Sequence, residues 1–109
     1  MRHPCISQTP VKRAIISGAA GDVAVVAAVT GRKIRVLQFY LHQAAAGTIR
    51  FESGAGGTAL TGVMVTTAET LAINPGFNPF GHFETVAGES LSIEAATGAV
   101  QGWCVYQEV

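Results

Sequence analysis

Apolar and polar side chains alternate in short runs along most of this chain, and glycine closes many of the runs. The clearest instance lies in residues 80–95. After the break at Ala87, Gly88 and Glu89, Leu91 and Ile93 alternate with Ser90, Ser92 and Glu94. A period of two puts one face of a strand in a core and the other in water. Gly88 takes a positive φ without a Cβ clash. The stretch therefore predicts a β-hairpin: strand, tight turn, strand. A lone hairpin with one apolar face is not stable in water, so the rest of the chain is expected to supply more sheet.

Residues 12–17, Lys-Arg-Ala-Ile-Ile-Ser, predict the first strand. Residues 23–29 are all Val and Ala, and the β-branched valines with flanking glycines favour strand over helix. Residues 33–43 form the longest candidate. Ile34 and Val36 share one parity, whereas Leu37, Phe39 and Leu41 share the other. Such a reversal requires a β-bulge, or a strand that leaves one sheet and enters another. Residues 48–52 alternate with Ile49 and Phe51 inward. Residues 59–66 are kinked at Gly62, and residues 69–74 form a short strand. Residues 74–81, Asn-Pro-Gly-Phe-Asn-Pro-Phe-Gly, read as a long turn. Residues 100–106 are apolar on both parities through Trp103, Cys104, Val105 and Tyr106, which predicts a central strand or one set against another subunit. The sum is an all-β, single-domain antiparallel β-sandwich or jelly-roll-like barrel of about eight strands. Residues 11–109 make the sandwich. Residues 1–10 carry Pro4 and Pro10 without alternation and predict an extended N-terminal arm, disordered or strapped onto a neighbour.

Composition changes this picture in one respect. Only 13% of the 109 residues are charged, against about 25% in typical domains. The apolar fraction, 49%, is high. Too few charges are present to wet the whole outside, so part of the surface is expected to be covered by another chain. A net charge of zero gives no electrostatic case for nucleic acid or an anionic membrane. The N-terminus lacks the apolar core of a signal peptide, and no apolar run reaches membrane-spanning length. Synthesis in a cytoplasm without signal-directed export is the expectation. Cys5 and Cys104 stand at opposite ends of the chain and are expected as free thiols, with Cys104 a small core residue.

Candidate chemistry is sparse. His3, His42 and His82 are isolated, with no second ligand at metal spacing, although a fold could gather His82 with Glu84. Glu84, Glu89 and Glu94 read as the wet face of the hairpin rather than a catalytic pair. No Gly-x-Ser-x-Gly elbow is present, and neither cysteine has a nearby histidine. Residues 53–58, Ser-Gly-Ala-Gly-Gly-Thr, match a phosphate loop only in composition and predict a mobile loop. No enzyme activity, cofactor or metal is expected.

From about Arg50 to Val109 the chain resembles small virion proteins of tailed bacteriophages. The resemblance lies in Phe51-Glu52-Ser53-Gly54, in Leu60-Thr61-Gly62, in residues 81–93 from Gly81-His82-Phe83-Glu84 to Ser92-Ile93, and in the closing Val105-Tyr106-Gln107-Glu108-Val109. It implies a short sandwich or jelly-roll chain in a virion, commonly a homotrimer, made in the bacterial host cytoplasm. The function it implies is a capsid decoration (cement) protein that binds the major capsid protein and stabilises the head shell. A head–tail connector, another tail component, or a carbohydrate-binding sandwich on a tail are the alternatives. The last would need a ring-stacking face, and Trp103 and Tyr106 sit in what reads as a core strand. The residues expected to meet a partner are Arg2, His3, Pro4 and Pro10 in the arm, which can strap a neighbour. In the long turn they are Phe77 and Phe80, apolar anchors held by Pro75 and Pro79.

Overall fold

Short alternating runs rich in Val, Ile and Thr favour strands, and no helix occurs among the residues that the computed structural model describes, 9–43, 45–66, 73–96 and 98–109. The strands are β1 (Lys12–Gly18), β2 (Gly21–Val26), β3 (Ile34–Gln43), β4 (Gly47–Ser53), β5 (Thr58–Ala59), β6 (Met64–Thr66), β7 (Phe83–Glu84), β8 (Leu91–Ala95) and β9 (Val100–Glu108). One sheet runs β1-β9-β3-β7 and the other β2-β8-β4-β5, with β6 also on β4. All pairings are antiparallel. Successive strands β1 and β2, β3 and β4, and β7 and β8 lie in opposite sheets, while the terminal strands β1 and β9 are neighbours. The result is an all-β sandwich with jelly-roll-like winding.

The parity reversal in β3 is a bulge. The β3–β9 register slips between Val36 and Gln38, so Val36 and Leu37 are both buried. Beyond the slip, Phe39 and Leu41 continue inward and Tyr40 and His42 face outward. β9 is central, between β1 and β3. The kink at Gly62 is real: residues 59–66 divide into β5 and β6, both paired with β4. β2 starts at Gly21 and ends at Val26, so Val29 belongs to the following turn, where its carbonyl accepts the Arg32 N–H at 3.0 Å.

The predicted hairpin over residues 80–95 does not form. Phe83 and Glu84 pair with Val36 and Arg35 of one sheet, whereas Leu91–Ala95 lies between β2 and β4 of the other. The turn at Gly88, φ 81°, crosses between sheets. Thr85 anchors the crossing: its N–H donates to the Ile34 carbonyl at 3.0 Å, and its Oγ1 accepts the Ile34 N–H at 2.9 Å. Alternation identified the inward residues, but it does not say which sheet a strand joins.

The core between the sheets is centred on three rings. Phe39 of β3 meets Phe51 of β4 edge-on at 4.9 Å, and Phe83 of β7 lies 4.8 Å from Phe51. Cys104 is a buried free thiol, pushed up to about 12 by burial, so it is a packing residue with negligible thiolate. Cys5 lies outside the described residues. Of the expected strand at 69–74, residues 69–72 also lie outside them; Ile73 bridges to Leu41 through reciprocal hydrogen bonds of 3.0 and 2.9 Å.

Gly102 sets the closeness of β9 to β3. Its φ is 149°, and a Cβ placed there would collide with the carbonyl oxygen of Tyr40. Gly102→Ala is expected to cost about 3 kcal/mol or more. Urea unfolding checks this, and a midpoint equal to that of the unaltered protein would show that the two strands can separate without loss.

Candidate functional site

The turn of residues 74–80 is a pinned segment along the outer edge of β3. The Asn78 N–H donates to the Leu37 carbonyl at 2.8 Å, and the His82 N–H to the Val36 carbonyl at 2.7 Å. Two side-chain turns stiffen it: Asn74 Oδ1 accepts the Gly76 N–H at 3.1 Å, and Asn78 Oδ1 accepts the Phe80 N–H at 2.9 Å. The His82 ring donates from Nε2 to the Gly76 carbonyl at 2.8 Å, so this histidine is a strut and is not gathered with Glu84 as a ligand pair. Pro75 and Pro79 are exposed and cannot offer an N–H. Phe77 and Phe80 are held in this frame at 57% and 86% exposure. A large apolar ring on a backbone already ordered by hydrogen bonds is a ready contact, because less backbone freedom is lost when it docks.

Of the arm, Pro10 is exposed and the Thr9 carbonyl accepts Gln107 Nε2 at 3.1 Å. Arg2, His3 and Pro4 lie outside the described residues. Lys12, just after Pro10, shares a cross-strand row with Tyr106, Val36 and Phe83. The root of the arm and the root of the turn thus flank one end of the same sheet.

Trp103 lies in a central strand, as expected, but its ring is on the outer face of the sheet. Cys104 and Val100 of β9 point inward, so Trp103 points out. It stacks on Tyr40 with ring planes 10° apart and centroids 6.0 Å apart. Ile15, 71% exposed, completes the row Ile15–Trp103–Tyr40 across three strands. The next row is polar: Ser17, Gln101 and His42. Tyr106, by contrast, is on the inward side and packs against the core.

The outer face of the second sheet carries a group that the sequence did not reveal. Asp22, Glu52 and Glu94 bring carboxylate oxygens within 4.8 Å of one another. Arg50 runs between them, with Nη2 3.4 Å from Glu52 and Nε 3.3 Å from Glu94. Glu52 is fully covered although it lies just beneath the surface, because the turn after β4 folds back and the Gly56 N–H donates to it at 2.8 Å. Neighbouring Ser53 donates to Glu89 at 2.5 Å and accepts the Val86 N–H at 2.9 Å. Glu84 is bound to Arg35 and Lys33, both at 3.4 Å. The three glutamates expected on a wet hairpin face are therefore each tied to another strand. Residues 53–57, expected to be mobile, are likewise tethered. Oxygen donors of this kind suit a hard cation such as calcium or magnesium. Here the Arg50 guanidinium already pairs with two of the three carboxylates, and the arrangement works as a latch on the Gly54–Gly57 turn. The only signal in the sequence was the parity of Arg50, Glu52, Glu94 and Asp22, which points them to one face once the pairing is known.

No known protein family, curated protein or solved structure matches the chain.

Burial holds the Glu52 carboxyl above the usual carboxylate range, and Asp22 and Glu94 push it further up against the opposing pull of the Gly56 N–H. The folded chain thus retains this proton to higher pH than the unfolded chain. Stability should fall as pH rises from the ordinary glutamate range through the folded pKa, then level off. Glu52→Gln keeps the acceptor for Gly56 and removes the buried charge. It should flatten that slope and stabilise the protein at neutral pH, by an amount on the order of 1 kcal/mol. Thermal melts across the pH range check this; a destabilised variant at pH 7 would mean that the Arg50 ion pair outweighs the cost of burial.

Proposed function

We propose that this chain is a non-enzymatic structural protein of a bacteriophage particle, a capsid decoration protein that binds the major capsid protein and further copies of itself. The observation that carries the reading is the pair Phe77 and Phe80, exposed on a turn whose backbone is anchored by hydrogen bonds at Gly76, Asn78 and Phe80. Low charge agrees with it: seven basic and seven acidic residues serve 109, and six of the described ones are engaged with one another around Glu52, Glu84 and Arg50. Jelly-roll-like winding is common among capsid proteins, an analogy of fold only. The phage setting rests on the sequence resemblance between residues 50 and 109. Many modest contacts repeated by capsid symmetry would add to firm attachment.

Shells assembled from the major capsid protein encoded in the same genome should carry the chain when pelleted, at a stoichiometry set by capsid symmetry. Phe77→Ser with Phe80→Ser should change stability by no more than about 0.5 kcal/mol, because both rings are in water, yet release the protein from shells. Removal of residues 1–10 should leave the fold intact and weaken retention. Shells that pellet without the chain, or a source genome with no capsid protein, would overturn the reading.

A second reading is favoured by one observation, the parallel rings of Trp103 and Tyr40 beside Gln101 and His42. Stacked aromatic faces with amide and imidazole neighbours suit the apolar face and hydroxyl rim of a sugar, as in a tail-borne saccharide-binding module. A glycan array separates the readings: binding lost in Trp103→Ala and kept in the Phe77/Phe80 variant selects the second.

A further inference from the structure

Sheet edges expose unpaired backbone groups, and folded proteins blunt them with short strands, bulges, proline, charged side chains or covering segments. Three of the four edges here are blunted. The β3 side of the first sheet ends in the two-residue β7 and the proline-bearing segment 73–82. β2 carries a bulge between Ala24 and Val26. On the far side of β4, β5 and β6 are two and three residues long. β1 differs. All seven of its residues are in unbroken register with β9, it contains no proline, and among the described residues no strand pairs with its other side. At its midpoint, Ile15 is 71% exposed.

We infer that β1 is a self-pairing edge: two copies of this chain join antiparallel through β1, centred on Ile15, into one continuous eight-stranded sheet. This inference stands apart from the capsid reading. Its partner is set by charge and by side-chain matching. Antiparallel pairing about Ile15 places Arg13 opposite Ser17 of the second copy and Lys12 opposite Gly18. The basic residues of the two copies are thereby kept at opposite ends, whereas parallel pairing would stack them, which destabilises a sheet. Lys12 is already neutralised by Glu108 at 2.9 Å. On the inward side, buried Ile16 meets Ala14 of the second copy, so the core face remains apolar across the seam. On the outward side, the row Tyr40–Trp103–Ile15 continues into its own mirror sequence, and Ile15 of each copy covers the other. The symmetry is two-fold and isologous, the arrangement that a self-complementary patch generates. A trimer, the expectation drawn from the resemblance, would have to use other contacts.

The test uses the full chain with Cys5→Ser, which leaves only the buried Cys104 as a native thiol. Sedimentation equilibrium should show a dimer. Ile15→Lys sets two like charges face to face at the centre and should weaken the dimer about tenfold or more. Single cysteines then read the register. Ile15→Cys should form a disulfide-linked dimer under mild oxidation, since facing residues in antiparallel strands lie within disulfide reach. Arg13→Cys alone and Ser17→Cys alone should not, but a mixture of the two should cross-link. A monomer at high concentration overturns the inference, as does a dimer indifferent to Ile15→Lys. Cross-linking of Arg13→Cys or Ser17→Cys with itself, without Ile15→Cys, overturns the register and with it the proposed interface. Should Ile15→Lys fail to fold, the cysteine pattern decides by itself.

Discussion

The bulge between Val36 and Gln38 is the constraint on which the two faces of the first sheet depend. β3 carries apolar residues on both parities. A regular strand would bury Ile34 and Val36 and leave Leu37, Phe39 and Leu41 in water, or the reverse. One extra residue flips every side chain beyond it to the other face. The flip carries Phe39 inward, where it meets Phe51 and Phe83, and turns Tyr40 outward onto Trp103. Gly102 completes the device, because the strand after the bulge approaches β9 so closely that only a residue without a Cβ fits against the Tyr40 carbonyl. Core, outer face and strand spacing thus follow from the same irregularity.

What was legible in the sequence were local matters of period. Inward residues such as Ile49, Phe51, Leu91 and Ile93 follow from alternation, and the bulge was one of two devices that the parity of β3 demanded. Partnership was not legible. Residues 83–84 and 91–95 look like two arms of one hairpin because a tight glycine turn separates them, yet the crossing holds Thr85 against Ile34 and sends the arms to different sheets. Alternation gives a face and a turn gives a reversal; neither says whether the reversal stays in plane. Trp103 was hidden for a related reason. With apolar residues on both parities of β9, the sequence alone does not show which set faces the core, and the bulkier ring turned out to be on the outside.

Glu52 shows a different gap. In its strand it alternates as a solvent-facing residue should, and its side chain does point outward. It is buried because the glycine turn that follows folds back over it, and only a turn rich in glycine can bring a backbone N–H so near. The burial of a charge was thus set by a loop.

Several polar side chains are engaged in holding loops in place. His82 braces the 74–80 turn, Ser53 and Glu89 tie two strand ends, Thr85 fixes the crossing, and Glu52 latches the turn after β4. Their common effect is to remove freedom from the segments that carry exposed apolar side chains. A contact surface whose loops are already ordered loses less entropy when a partner arrives, so modest apolar anchors such as Phe77 and Phe80 can count in full. The same reasoning applies to β1, whose backbone is held straight along its whole length by β9 before any second strand meets it. For a chain this poor in charge, rigidity supplies what electrostatic steering supplies elsewhere. It allows a small surface to be recognised by shape, as the proposed association requires.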